Sequence, residues 1–128
     1  MDIVAHDIAT TELAEHLGPV FASSPDGVYV WLDETHWVCN ERFAELLGYG
    51  SADELTNTPG LLQRMVHEDD QQLFSWMYWN RVQPRAFPAT FRFRGVRKDG
   101  SAVQIETDMI PLSYGGHTFA FHFARVVG

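Results

Sequence analysis

Sulfur chemistry is nearly absent from this chain: its 128 residues hold one cysteine, Cys39, which excludes an internal disulfide. No apolar run approaches the length of a membrane span. The start, Met1-Asp2-Ile3-Val4-Ala5-His6-Asp7, lacks the basic head of a signal peptide. Low-complexity tracts and internal repeats are missing as well. These absences suit a soluble cytoplasmic protein without a membrane partner. No paired-carboxylate, triad or phosphate-loop pattern occurs, so catalysis is not expected. Metal-ligand spacing is also lacking. His117 and His122, five apart along a strand, face opposite ways, and His67-Glu68-Asp69-Asp70 reads as an acidic helix start. Cys39 has no base beside it, because His36, three residues away, points to the other face; a small buried residue is expected there.

Positive charge is scarce at first. Residues 1 to 80 carry two Arg against fourteen acids, whereas residues 81 to 128 carry six Arg and one Lys against three acids. The two halves are expected to complement each other within one fold, or to leave the basic strands as a docking face. Nucleic acid is not expected as a partner, since a net charge of -8 repels phosphate and the arginines alternate with acids.

What the chain does have is 45% hydrophobic residues, enough for one domain with one core. Its clearest stretch runs from Thr90 to Met109. Two period-2 runs flank Asp99-Gly100, the signature of an antiparallel hairpin. Phe91 and Phe93 share one face with Val103, Ile105, Thr107 and Met109; Arg92 and Arg94 oppose Gln104, Glu106 and Asp108 on the other. With Lys98-Asp99-Gly100 as the loop, Arg92 lies opposite Glu106 and Phe93 opposite Ile105. A two-residue shift pairs Arg94 with Glu106 and Arg92 with Asp108 instead, and keeps the faces intact.

Around that hairpin the chain reads in order. Residues 2 to 9 show no firm pattern. Thr10 caps a short amphipathic helix carrying Leu13, Leu17, Val20 and Phe21, broken at Gly18-Pro19. A turn at Ser23 to Gly27 leads to strands Val28–Leu32 and His36–Cys39, joined by Asp33-Glu34-Thr35. Asn40 caps a helix from Glu41 to Leu47, stopped by Gly48. Helical turns follow at Ala52–Leu55 and Leu61–Val66. A longer helix opens at His67 and runs to about Val82, stopped by Pro84. Tyr114-Gly115-Gly116 turns the chain into a last strand, Thr118–Val127. This order argues an α+β fold: one antiparallel sheet with its helices on one face.

Several pieces, taken in order, resemble a PAS domain from about Leu17 to Val127. They are Ser24-Pro25-Asp26-Gly27-Val28, Asn40, Phe43 with Leu46-Leu47-Gly48-Tyr49, Glu54-Leu55, His67 to Asp70, and Arg97-Lys98-Asp99-Gly100-Ser101. Two departures stand out: Glu68 where the family usually has proline, and no glycine near Glu34 to His36. The resemblance implies a five-stranded antiparallel sheet in the order 2-1-5-4-3 with short helices closing a cavity over it. Residues 1–21 then form an N-terminal segment and helix, and residues 22–128 the domain. It also implies a sensory module of a bacterial-type signal-transduction protein, such as a two-component system. Such modules bind small ligands, or serve as ligand-free dimerisation and interaction parts. No output domain is visible in these residues.

Phe74-Ser75-Trp76-Met77-Tyr78-Trp79 is apolar almost all round its helix, more than one buried face requires. The expected chamber is therefore aromatic, with pocket candidates Phe43, Leu47, Met65, Phe74, Met77, Tyr78, Phe91, Phe93, Ile105, Phe119 and Phe121. Ser75, Tyr78 and Asn80 are candidates for polar contacts. On the last strand, Phe119, Phe121 and Phe123 are expected to face this chamber. Ala120, His122 and Ala124 are then left, with Leu13, Leu17, Val20 and Phe21, for a homodimer or partner face. Light-sensing relatives that form a flavin adduct carry its cysteine in the stretch matching Asn57 to Val66. None occurs there, so a flavin without adduct is the form left open. Heme is not expected, because Leu73 to Val82 lacks the histidine that heme-binding relatives place in this helix. Met77 is a poor substitute, and His67 is expected to hold its turn.

Overall fold

The computed structural model describes residues 2–33 and 36–127. Five antiparallel strands form one sheet in the order β2-β1-β5-β4-β3. They are β1 (Gly27–Asp33), β2 (His36–Cys39), β3 (Ala89–Val96), β4 (Ala102–Tyr114) and β5 (His117–Val126). The β3–β4 hairpin settles on the first of the two registers, with Arg92 opposite Glu106 and Phe93 opposite Ile105. Gly100 takes the left-handed backbone (φ 91°) that its turn requires, and Gly115 and Gly116 do so together (φ 58° and 79°) in the β4–β5 turn. Glu34 and Thr35, expected to turn β1 into β2, lie outside the described residues.

Helices cover both faces of the sheet. On the inner face lie α3 (Glu41–Leu46), α4 (Ala52–Thr56), α5 (Leu61–Met65), a 3-10 turn (Glu68–Asp70) and α6 (Gln71–Met77). A π-helical segment, Tyr78–Val82, extends α6 by one wide turn, closed by Gln83 N donating to Tyr78 O at 2.7 Å. The long helix expected here is thus three local geometries in series. It is not buried all round either: Leu73, Trp76 and Trp79 are each more than half exposed. The outer face carries α1 (Asp2–His16) and α2 (Gly18–Ser23). Helix α1 begins eight residues before the expected cap. Thr10 sits inside it and bonds the carbonyl of His6 one turn back, at 2.7 Å.

The two faces of β5 are the reverse of the expected ones. Phe119 and Phe121 pack with Val28, Val30, Leu32, Ala9 and Leu13 beneath α1, while Ala120 and Ala124 belong to the core on the inner side. Cross-strand sizes explain this. Trp31 lies opposite Ala120, Tyr29 opposite His122 and Gly27 opposite Ala124. The bulk of the inner wall comes from β1, so β5 must be small there; the aliphatic side of β1 takes the phenylalanines.

The pieces that carry the family resemblance act as joints. Asn40 Oδ1 accepts from Val28 N and Phe43 N, both at 2.9 Å, and its Nδ2 donates to Phe21 O and Asp26 O, both at 3.2 Å. One side chain thereby fixes the end of α2, the start of β1 and the start of α3. Lys98 pairs with Glu54 on α4, and its N–H donates to Leu47 O at 2.9 Å. Asp70 accepts from Arg94 N (2.7 Å), Nη2 (2.9 Å) and Nε (3.2 Å), which fastens the inner helices to β3. His67 holds its turn by accepting from Asp69 N at 3.1 Å, with Glu68 in place of proline.

Candidate functional site

Between the sheet and the inner helices, side chains from β1, β2, β3, β5, α3, α5, α6 and the π segment converge on one cavity. Its wall is Tyr29, Trp31, Trp37, Phe43, Leu61, Met65, Phe74, Tyr78, Val82, Phe91 and His122. Of the pocket candidates, Phe43, Met65, Phe74, Tyr78 and Phe91 line it. Leu47, Met77, Phe93 and Ile105 belong to the same apolar core but stand behind the wall. Phe119 and Phe121 are corrections, being on the opposite face of the sheet. Ser75 and Asn80 point outward, with Asn80 bonding the Trp76 carbonyl at 2.8 Å. The exposed partner face assigned to Ala120, His122 and Ala124 is likewise corrected, since all three are buried on the inner side. Leu13, Leu17 and Phe21 pack on the sheet of their own chain, leaving Val20 at the surface.

Tyr29, Trp31, Trp37 and His122 are the wall residues that matter most and that the sequence reading passed over. The signal was present in β1. Tyr29 and Trp31 alternate with Val28, Val30 and Leu32. Aromatics with a polar tip suit a cavity, and plain aliphatics suit helix packing.

The cavity is tightly filled. About 20 Å³ remains, room for one water molecule. Tyr29 stacks on His122 (centroids 4.0 Å, planes within 6°) and on Phe43 (4.6 Å). Trp31 Nε1 donates to Tyr78 OH at 3.2 Å, so the π segment is latched to the sheet across the cavity. Arg85, just past that segment, donates to Leu32 O from a left-handed backbone (φ 52°) uncommon for arginine.

Among the described residues, His122 Nδ1 and Arg85 Nε are buried in this region without a hydrogen-bond partner. Burial pushes the His122 imidazole down to about 3, against the opposing effect of the Ala120 and Tyr29 backbone and with a smaller push from the Arg85 charge, so it is neutral at physiological pH. Burial likewise raises the Tyr29 phenol above its ordinary range, against a smaller opposing effect of the Thr107 hydroxyl. The Cys39 thiol is pushed up to about 12, by burial first and then by the Glu41 and Asp53 carboxylates; it stays protonated and unreactive.

Pockets for drug-sized ligands run to about 300 Å³ or more, so a molecule as large as a flavin or a heme would enter only if the inner helices moved away from the sheet.

The model of the PAS fold family matches residues 36–121. No curated protein matches the chain. Among solved structures, a PAS domain from a two-component sensor histidine kinase is similar at 18% identity. The match covers 91% of this chain and 99% of that one, with a TM-score of 0.66. The PAS domain of a protein from Colwellia psychrerythraea gives 18% identity, 90% and 97% coverage and a TM-score of 0.68. The LOV protein of Rhodobacter sphaeroides gives 12% identity, 92% and 68% coverage and a TM-score of 0.72. At such identities the likeness is one of fold.

Proposed function

The chain belongs to the PAS fold family, and from that premise we propose that it is a sensory module whose inner cavity takes a small apolar or aromatic molecule. The carrying observation is His122 Nδ1, without a hydrogen-bond partner among the described residues, in a wall otherwise made of aromatic and aliphatic side chains. A buried polar group left unpaired costs roughly 1–3 kcal/mol. A ligand with one hydrogen-bonding group on an apolar body recovers that cost and buries its body against Tyr29, Trp31, Phe74 and Phe91. With room for only one water, the ligand must push something aside. The π segment is the movable part, since such wide turns are locally strained and it is held to the sheet by the Trp31–Tyr78 bond. Displacing it moves Trp31 and with it β1, whose outer residues carry α1. The signal so produced would leave through α1 to a dimer mate or a partner signalling domain.

Native mass spectrometry of the protein as purified, with an absorption spectrum of the same sample, tests this. Added mass of a colourless compound that is lost in His122→Phe supports the reading. Bare protein whose melting temperature is unmoved by a panel of small aromatics counts against it.

A second reading, a ligand-free dimerisation or interaction module, is favoured by Val4, Ile8, Val20 and Ile110. All four are exposed apolar residues on α1, α2 and β4. Sedimentation of the wild type against Ile8→Lys and Ile110→Lys distinguishes it, because a dimer that these changes dissolve supports the interaction surface. A monomer at all concentrations removes its dimer form.

A further inference from the structure

A separate cluster of side chains lies where α1 crosses the β1–β2 end of the outer face. The geometry assigns a binding site for one divalent transition-metal ion there, held by His6, Asp33 and His36. His6 Nδ1 lies 2.8 Å from Asp33 Oδ2, and His36 Nδ1 lies 2.7 Å from Asp33 Oδ1. Donor atoms of all three residues fall within 4.8 Å of one another. Zinc bonded at about 2.0–2.2 Å sets its ligand atoms roughly 3.3 Å apart. The two imidazole–carboxylate contacts therefore need to open by about half an ångström, and the widest donor separation, within 4.8 Å, to close by up to about 1.5 Å, both within reach of side-chain rotation.

The arrangement has structural causes. The pairing of β1 with β2 is irregular between Trp31 and Asp33: Trp31 faces Trp37, yet Asp33, two residues on, faces His36, one residue back. That extra residue turns Asp33 from the inner face, where the alternation would put it, to the outer face beside Leu32. His36 meets it there from β2, and α1 supplies His6. Two further groups stand close by. Asp7 Oδ1 is 4.0 Å from His36 Nε2, and the His117 ring is edge-on to His6 with centroids 4.9 Å apart. His117 Nδ1 lies 3.0 Å from Gly115 O, and a proton donated there leaves the lone pair on Nε2.

The chemistry of the donors selects the ion. Two imidazoles and one carboxylate are too rich in nitrogen for calcium or magnesium, which take oxygen ligands, and suit zinc, cobalt, nickel or copper. Binding through the two Nδ1 atoms displaces the protons now shared with Asp33, which pass to Nε2 or to solvent. An ion held this way ties α1 to the β1–β2 end of the sheet, giving the N-terminal helix a metal-dependent attachment that is independent of the inner cavity.

Calorimetric titration of the tag-free full chain with zinc chloride, before and after His6→Ala, tests the site. His16→Ala, on the same helix and outside the cluster, is the control. The expected result is one zinc per chain, weakened at least about tenfold by His6→Ala and unchanged by His16→Ala. Cobalt chloride should give visible bands of a nitrogen-ligated, low-coordinate ion that the same variant abolishes. Saturable binding absent below about 1 mM, or equal in wild type and His6→Ala, overturns the assignment. It would leave the three side chains as a hydrogen-bonded clamp only.

Discussion

His122 is the residue whose behaviour departs most from its type. Folding lowers its imidazole from an ordinary value near 6.5 to about 3, so the unfolded chain takes up a proton that the native one refuses. With a depressed native value, this group's contribution to stability is complete above pH 6.5 and drains away as pH falls towards 3. From pH 7 to pH 5 the loss from this group alone is about 2 kcal/mol. Urea denaturation at the two pH values should show that loss in the wild type and much less in His122→Phe. Asn40 makes the opposite point, a polar residue whose every hydrogen-bonding direction is used. Asn40→Ala leaves Val28 N and Phe43 N without their buried acceptor, and about 2–4 kcal/mol of stability should disappear. Chemical denaturation measures this directly, and Asn40→Asp should recover part of it, because the acceptor oxygen returns while the two donated bonds do not.

At the level of elements, α1 is an integral cover of the sheet. Its Leu13 is buried against Phe119, Phe121 and Val30. Leu13→Ala should cost about 2–4 kcal/mol, visible as an earlier thermal midpoint, with new binding of a hydrophobic dye as the Phe face opens. The hairpin and the Asn40 cap were legible in the sequence because each is written in local pattern, alternation with a turn pair or a capping residue, whereas the strand order followed from the ordered pieces that carry the family resemblance. The facing of β5 was not. Period-2 alternation says that Phe119 and Ala120 lie on opposite sides but not which side is the cavity, and that depends on the partner strand β1. Reading Tyr29 and Trp31 together with Ala120 would have decided it. The start of α1 was lost for a related reason: Val4, Ile8 and Ala9 carry no cap, and the helix is held by the sheet beneath it. His6, Asp33 and His36 escaped notice because they are brought together by a strand irregularity and a helix crossing, neither of which has a spacing in the chain.

Across the whole molecule the sheet divides the interior into two apolar clusters, the cavity side and the α1 side. Charge is handled in the same plane. Arg125 bonds Glu106 at 2.7 Å and Asp108 at 2.8 Å, and Arg92 bonds Glu106 at 2.8 Å. The basic part of the sequence is thus answered partly within its own strands and partly by the acidic half, Arg94 by Asp70 and Lys98 by Glu54. Such an architecture should open from its edges. In hydrogen exchange the central amides of β1, β5 and β4 should be the slowest, while residues 78–85 and the first turns of α1 exchange well before global unfolding. Equal protection of the π segment and β5 would contradict the role given to that segment.

The pairing of Trp31 with Ala120 and of Tyr29 with His122 has a consequence for descent. On the sheet side the depth of the chamber follows from these two cross-strand pairs, while the joints at Asn40, Glu54 with Lys98, and Asp70 with Arg94 lie elsewhere. Mutation at those pairs can therefore reshape the chamber while leaving the joints untouched. Lineages built on this plan are free to diverge in the lining of the chamber while staying recognisable in shape.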